Sequence, residues 1–323
     1  MPATSIVIPD ELEAVLSFGR REVRLTNLRK PFWKALGITK RDLLQYYADV
    51  SPWLLPHVAD RAMVMKRYPN GAEGDFFYMK RAPSPRPDWI ETCEIPHDAG
   101  LVSFPIVQDL PSLLWLINLG CIDLNPWYAR CDDWDRPDFL HFDLDPGPGA
   151  DFDQVREVAL HVRDLLATVK IPTYAKTTGS KGIHVYIPIV RGPLQKEVWT
   201  FAKAIALQLE MRHPEVITAE YRKVKRPHGR VLVDYNQNAW GRTLASIYSV
   251  RPTSWASMPV TWEEVEAGVR IDDFRIDNAL ARLREKGDLW KPVLGKRRFE
   301  LRSVLDAART TRRSSTRKVA SAK

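Results

Sequence analysis

The sequence predicts an α/β or α+β fold. Three observations carry that expectation. Strand-like and helix-like segments alternate between residues 138 and 236. Residues 138–145 (DFLHFDLD) alternate apolar and polar side chains with period two. The segment after them carries a single apolar stripe at helical spacing. Earlier in the chain, Thr39 reads as the N-cap of a short helix over KRDLLQYYADV, and residues 62–68 and 75–80 as short strands around the turn Pro69-Asn70-Gly71. On 138–145, Leu140, Phe142 and Leu144 face one way and His141, Asp143 and Asp145 the other. Pro146-Gly147-Pro148-Gly149 ends that strand. Asp151 can cap the next helix, whose stripe is Val155, Val158, Ala159, Val162, Leu165, Leu166 and Val169. A strand at 171–176, a Gly-rich turn, the strand IHVYIPI, a helix over 194–212 and the strand RVLVDYN at 230–236 follow. Thr261-x-x-Glu264 makes a capping box for a short helix that Gly268 ends. The inner strands carry polar residues on one face only.

The 323 residues are 45% hydrophobic and 27% charged, enough apolar content to bury a core without metals or disulfides. No run approaches 18 apolar residues, and no basic start precedes an apolar stretch, so neither a membrane-spanning helix nor a secretory leader is expected. Cys93, Cys121 and Cys131 are too few and too scattered for a disulfide framework. No C-x-x-C is present, so no zinc is expected, and a reducing cytoplasm is the expected compartment. The formal charge is +8, and residues 309–323 hold six basic residues and no acid. Their small, polar and basic composition predicts a disordered basic tail after a single catalytic domain at 1–308. Arg20 to Arg41 holds eight basic residues against Glu22, and Arg222 to Arg230 holds five against none. Such clusters suit a polyanion such as nucleic acid, although charge alone fits a solvated face equally well.

Asp143-x-Asp145 is the sharpest chemical signal. Two carboxylates spaced by two on a strand point the same way, roughly 7 Å apart along it, and can hold one or two hard divalent cations. Asp234, at the end of Val231-Leu232-Val233, is a third candidate ligand, though by itself it reads more readily as a turn former. Lys176-Thr177-Thr178-Gly179-Ser180-Lys181-Gly182 offers hydroxyls, amides and Lys181 as phosphate donors on a tight backbone. It is not a Walker A loop, because a strand rather than a helix follows. On that strand His184 alternates against Ile183, Val185 and Ile187, which places it beside the phosphate-type loop as a triphosphate donor.

HFDLDPGPG, KTTGSKGIHVYIP and RVLVDYNQN, in this order and spacing, resemble the three motifs of the archaeo-eukaryotic primase superfamily, and most closely those of the polymerase domain of bacterial DNA ligase D. The likeness extends over most of residues 20–300, through LTNLRKPFW, TKRDLLQYY, KRYPNGAEGDFFYMKRAP and LNPWYAR. It implies a primase-polymerase catalytic fold: a central mixed or antiparallel sheet flanked by helices, with an N-terminal DNA-binding portion. It also implies that Asp143, Asp145 and Asp234 bind the metal, Mn²⁺ in preference to Mg²⁺. Thr178, Ser180, Lys181, His184 and Arg251 would bind the incoming triphosphate. Asn27, Lys30 and Lys40 would form a pocket for a 5′-phosphate. Phe76 and Phe77 would stack on the template, with Lys66 and Arg67 in the same basic segment. Asn125 stands where the family often has His, near the nucleotide, and Thr178 where it usually has Ser.

The implied activity is a template-directed DNA repair polymerase of the nucleotidyltransferase type. It would work in the bacterial nucleoid on gapped or broken DNA with NTPs or dNTPs, ribonucleotides included, and Ku and a separate ligase are the implied partners. No Lys-x-Asp-Gly ligase motif is present, so a stand-alone monomer that fills short gaps is expected ahead of an end-joining polymerase or a primase starting chains de novo. Intact acidic and basic motifs argue against a silent DNA-end-binding module. A glycosyltransferase would share D-x-D but not the 5′-phosphate pocket.

Overall fold

The structure is a computed structural model that describes residues 6–98 and 100–307. The basic tail expected from residue 309 lies outside the described residues. The N-terminal part begins with the hairpin of β1 (Glu13–Phe18) and β2 (Arg21–Thr26) and the short pair β3 (Pro31–Trp33) and β4 (Ile38–Thr39). Helix α1 (Lys40–Val58) follows. Thr39 caps it as expected: its hydroxyl accepts from the Asp42 amide at 3.3 Å, and the Asp42 carboxylate accepts from the Thr39 amide at 2.8 Å. Next come β5 (Met63–Arg67), β6 (Phe77–Met79), the hairpin of β7 (Thr92–His97) and β8 (Gly100–Pro105), α2 (Leu110–Asn118) and β9 (Cys121–Pro126). Strand β5 is the middle of a three-stranded antiparallel sheet between β6 and β9.

The larger sheet is built from β10 (Phe139–Pro146), β11 (Tyr174–Thr177), β12 (Ile183–Pro188), β13 (Ile217–Thr218), β14 (Val231–Asp234) and β15 (Pro259–Val260). Its order is β13-β14-β10-β12-β11-β15. Every neighbouring pair is antiparallel except β13 with β14, so the sheet is mixed, as expected. Helices α3 (Phe152–Ala167) and α4 (Gln195–Arg212) pack against it; α5 (Trp262–Glu266), α6 (Ala279–Lys286) and a helical segment at 301–307 complete the described chain. Among the described residues no helix is long and apolar enough to cross a membrane.

The period-two pattern decides which face of the sheet is buried under the helices. Leu140, Phe142 and Leu144 lie opposite Ile187, Val185 and Ile183 of β12, and all six are buried. The α3 stripe seals this face with Val155, Val158, Ala159, Val162, Leu165 and Leu166. Val169, expected in the stripe, is instead 63% exposed. The helix ends at Ala167, and Lys170, at φ +58, turns the chain back toward β11. Cys93 and Cys131 form a disulfide that the scattered cysteine count did not anticipate; the partners are 38 residues apart in sequence but 5.7 Å apart at Cα. Cys121 is a buried free thiol.

Phe142 is fully buried at the centre of this face. Phe142→Ala should cost about 3–5 kcal/mol of stability, read as a shift in denaturant midpoint at unchanged slope. An unchanged midpoint would show that the apolar face has been wrongly assigned.

Candidate active site

Strand register gathers the polar side chains. Asp143 of β10 lies directly opposite His184 on one side and Asp234 of β14 on the other, and His184 lies opposite Lys176 of β11. Directly opposed residues share a face. Lys176, His184, Asp143 and Asp234 therefore form one row across four strands, with Asp145 one side-chain step along β10. The His184 Nε2 atom is 3.1 Å from Asp143 Oδ1. Burial, reinforced by the nearby Lys176 and Arg251 charges, holds the His184 pKa well below its ordinary value. The ring is therefore neutral, and its expected phosphate contact would be an ordinary hydrogen bond rather than a charge-assisted one. Lys176 is equally buried, and burial pushes its pKa well down; its Nζ donates to the Ala245 carbonyl at 3.0 Å and to Ser257 Oγ at 2.6 Å.

Burial and the Asp234 charge push Asp143 up to about 7. The Asp143 charge, then burial, does the same to Asp145. Hard oxygen donors crowded into mutual repulsion suit a divalent cation. The carboxylates are not drawn onto one point, however. Among the described residues no three His, Cys, Asp or Glu side chains are gathered to hold an ion. Asp234 instead accepts from the Asn236 amide at 2.8 Å and from the Gln237 side chain at 3.1 Å.

The β11–β12 loop closes one wall. Thr178 Oγ1 accepts from the amides of Ser180, Lys181 and Gly182 at 3.0–3.2 Å. The amides expected to receive a phosphate are thus turned inward, and Thr178 folds the loop. Gly182 is required here, because a Cβ would collide with the Leu144 carbonyl oxygen. Arg251 donates from Nη1 to the Thr178 carbonyl at 3.0 Å and from Nε to Asp123 Oδ2 at 3.1 Å.

The cleft has a volume of about 510 Å³. Asp143, Asp145, Thr178, Ser180, His184, Arg251 and Asn125 line it, while Asp234 and Lys181 do not. Its lining also includes Asp123, Tyr78, Lys80, Gln237 and Arg242, which sequence reasoning missed. Asp123 shares strand parity with Asn125, a signal that could have found it. Lys176 could not have been found that way, because its place depends on register across β12.

At the cleft's edge Phe76, Phe77 and Tyr78 are exposed. The Lys66 ammonium sits 4.1 Å from the Phe76 ring centre, and the Arg67 guanidinium 5.2 Å from that of Phe77. A second cationic group lies in the N-terminal part. Lys40 is buried and donates to the Thr26 carbonyl and to Asn118 Oδ1, each at 2.7 Å. Lys30 donates to the Pro69 carbonyl at 2.7 Å. Asn27 takes the left-handed backbone at φ +56, and the Asn27 carbonyl accepts from the Lys30 amide. Burial, then the charges of Lys30 and Arg67, lowers Lys40 to about 8. The structure thus brings Lys30, Lys40 and Arg67 together, and none of them lines the cleft.

The raised Asp143 and Asp145 fix the sign of a pH effect. Unfolded carboxylates titrate near pH 4. Both groups titrate near pH 7 in the folded chain. Their stabilising contribution is complete below the unfolded value and is lost as pH rises through the folded one. The melting temperature of metal-free protein should therefore fall from about pH 4.5 to pH 7.5, and Asp143→Asn should flatten the fall. At the upper pH, added divalent cation should restore the wild-type melting temperature. Identical pH profiles for wild type and variant would refute the carboxylate crowding.

Residues 39–290 match the family described as LigD, primase-polymerase domain. The chain is 34% identical over 299 residues to the multifunctional non-homologous end joining protein LigD of Mycolicibacterium smegmatis, covering 89% of this chain and 39% of that protein. It is 30% identical over 269 residues to the bifunctional non-homologous end joining protein LigD of Bacillus subtilis, covering 82% and 43%. The chain thus spans about two-fifths of the length of these relatives. The solved polymerase domain of Mycobacterium tuberculosis ligase D, in complex with DNA, superposes with a TM-score of 0.79 at 32% identity, covering 84% of this chain and 98% of that one. With the register row, the loop and the aromatic edge in place, the chain belongs to the LigD primase-polymerase family and carries its nucleotidyltransferase-type polymerase domain.

Proposed function

We propose that this chain is a template-directed DNA repair polymerase. It adds nucleotides, ribonucleotides included, to primer 3′ ends and prefers short gaps bearing a 5′-phosphate. The observation that carries this reading is the in-register row of Asp234, Asp143 and His184 with Asp145 beside it. A bound divalent cation, Mn²⁺ ahead of Mg²⁺, would acidify the attacking hydroxyl and neutralise the leaving pyrophosphate. Asp143, Asp145 and Asp234 would hold it, with Asp234 releasing Gln237 to do so.

The remaining work falls to the chain's own groups. Arg251, fixed between Asp123 and the Thr178 carbonyl, presents a delocalised charge to the phosphates. Lys181, exposed on the same loop, adds a mobile charge. Neutral His184 hydrogen-bonds without adding to the cations already present, and Ser180 supplies a hydroxyl at the cleft wall. Phe76 and Phe77 offer stacking surfaces that accept any base. Asn125, buried with its amide on the Asp123 carbonyl, would meet the sugar or base of the nucleotide.

End joining with Ku and a separate ligase is the second reading, favoured by the names of the relatives. Both readings use the Asn27, Lys30 and Lys40 pocket, and both keep residues 1–308 as one catalytic unit acting as a monomer.

Extension of labelled primers on open, gapped and 5′-phosphorylated gapped DNA tests the reading. Asp143→Ala should abolish addition while leaving DNA binding nearly intact. Addition by that variant at the wild-type rate would overturn the metal-site assignment. Lys30→Ala is the cleaner probe of the pocket, since Lys40 also ties Thr26 to Asn118. It should reduce the preference for a 5′-phosphate about tenfold or more, equivalent to a charge-assisted contact of about 1.5–3 kcal/mol. With Lys40 losing its proton near pH 8, that preference should also weaken as pH rises from about 7 to 9. Equal affinity for phosphorylated and unphosphorylated gaps at pH 7 would remove the pocket.

A further inference from the structure

Asp123 is a buried carboxylate between two cations. It lies on β9 directly opposite Lys66 of β5, and its side chain is 1% exposed. Its Oδ2 accepts from Arg251 Nε at 3.1 Å and lies 3.7 Å from Lys66 Nζ. Its Oδ1 is buried with no hydrogen-bond partner among the described residues. A buried carboxylate with one oxygen unpartnered is a standing cost to stability. Removing Asp123 alone would leave Arg251 and Lys66 without their carboxylate, so the group is held in place by the two cations it pairs with.

Of the two cations that Asp123 holds, Arg251 lines the cleft and Lys66 lies at the aromatic edge beside it. Arg251, in the segment between β14 and β15, reaches the loop carbonyl of Thr178, which uses Nη1 and leaves Nη2 with no bond among the described residues. Lys66 lies beneath the aromatic edge, 4.1 Å from the Phe76 ring centre and 5.9 Å from that of Tyr78. One carboxylate thus joins the triphosphate side of the cleft to its template side, across the boundary between the two sheets.

We propose that Asp123 is a positioning residue for nucleotide addition: it fixes the Arg251 guanidinium at the triphosphate position and ties it to Lys66 under the aromatic edge. The proposal rests on the polymerase reading above. Asp123 itself touches no reacting atom. It acts by holding Arg251 in one orientation, so that nucleotide binding does not have to order a long side chain.

The test is steady-state addition of one nucleotide by wild type, Asp123→Asn, Arg251→Gln and the double variant. Failure of the wild type to extend any primer would sink the polymerase reading and is seen before the variants are compared. Given wild-type extension, Asp123→Asn should raise the nucleotide KM about tenfold, a difference of about 1.4 kcal/mol, and change kcat by less than about twofold. In the Arg251→Gln background the same substitution should change KM by less than about twofold, because its route is already cut. An unchanged KM in Asp123→Asn, or an equal KM change in both backgrounds, would overturn the proposal. If Asp123→Asn does not fold, Asp123→Glu carries the same cycle: it keeps the charge, moves it by one methylene, and should raise KM only where Arg251 is present.

Discussion

The pairing register of β10 with its two neighbours is the constraint on which the rest of the structure depends. Side chains alternate with period two, so a slip of one residue would send Asp143 and Asp145 into the apolar core and expose Phe142 and Leu144. The Leu140, Phe142 and Leu144 face, packed under α3 and α4, excludes that slip. Burial of the apolar face therefore holds like-charged carboxylates side by side on the opposite face. Alone they would repel; the fold supplies the opposing force from the helix layer.

Charge balance on the polar face follows from the same register. Lys176 enters the row at the position opposite His184, and Arg251 reaches it from the far side of the loop. Burial, reinforced by the nearby Lys176 and Arg251, keeps that imidazole neutral. The row thus runs from the Lys176 amine at β11, whose pKa burial pushes well down, through a neutral ring at β12 to carboxylates at β10 and β14. With the Arg251 guanidinium beside the loop, that order suits a ligand carrying negative phosphates at one end and a cation at the other.

The sequence showed four of the six strands of the larger sheet and its helices with small errors at their ends, because alternation and capping are local signals; the two-residue edge strands β13 and β15 are too short to carry such a signal. Asp143, Asp145 and Asp234 were legible through local motifs, and their partnership through resemblance. What stayed hidden depended on tertiary placement. Lys176 joins the row only through β12, and Asp123 matters only because Arg251, 128 residues later, lands on it. The inward turn of the Ser180, Lys181 and Gly182 amides follows from one hydroxyl, Thr178 Oγ1, whose direction no spacing rule fixes. The Cys93–Cys131 bond likewise arises from two segments that meet only in the folded chain.

The two sheets must keep a fixed separation if a template on one is to face a nucleotide on the other. A buried hydroxyl ties β9 to the segment just before Arg251. Tyr47 of α1 donates to the Ile122 carbonyl of β9 at 2.6 Å, accepts from the Val250 amide at 3.1 Å and lies 3.2 Å from Ser249 Oγ. Ser249 Oγ in turn accepts from the Leu124 amide at 3.0 Å. The neighbouring Tyr46 donates to the Tyr248 carbonyl at 2.8 Å. The segment so clamped runs directly into Arg251, and β9 carries Asp123 and Asn125. Helix α1, begun by the Thr39 capping box beside Lys40, therefore binds β9 and the segment before Arg251 together. Because these contacts are fully desolvated, losing any one of them would strand a buried polar group. Such a network favours a single spacing over a range of spacings. The same helix thus carries Lys40 of the candidate 5′-phosphate pocket at its first residue and, through Tyr47, joins β9 to the segment that carries Arg251.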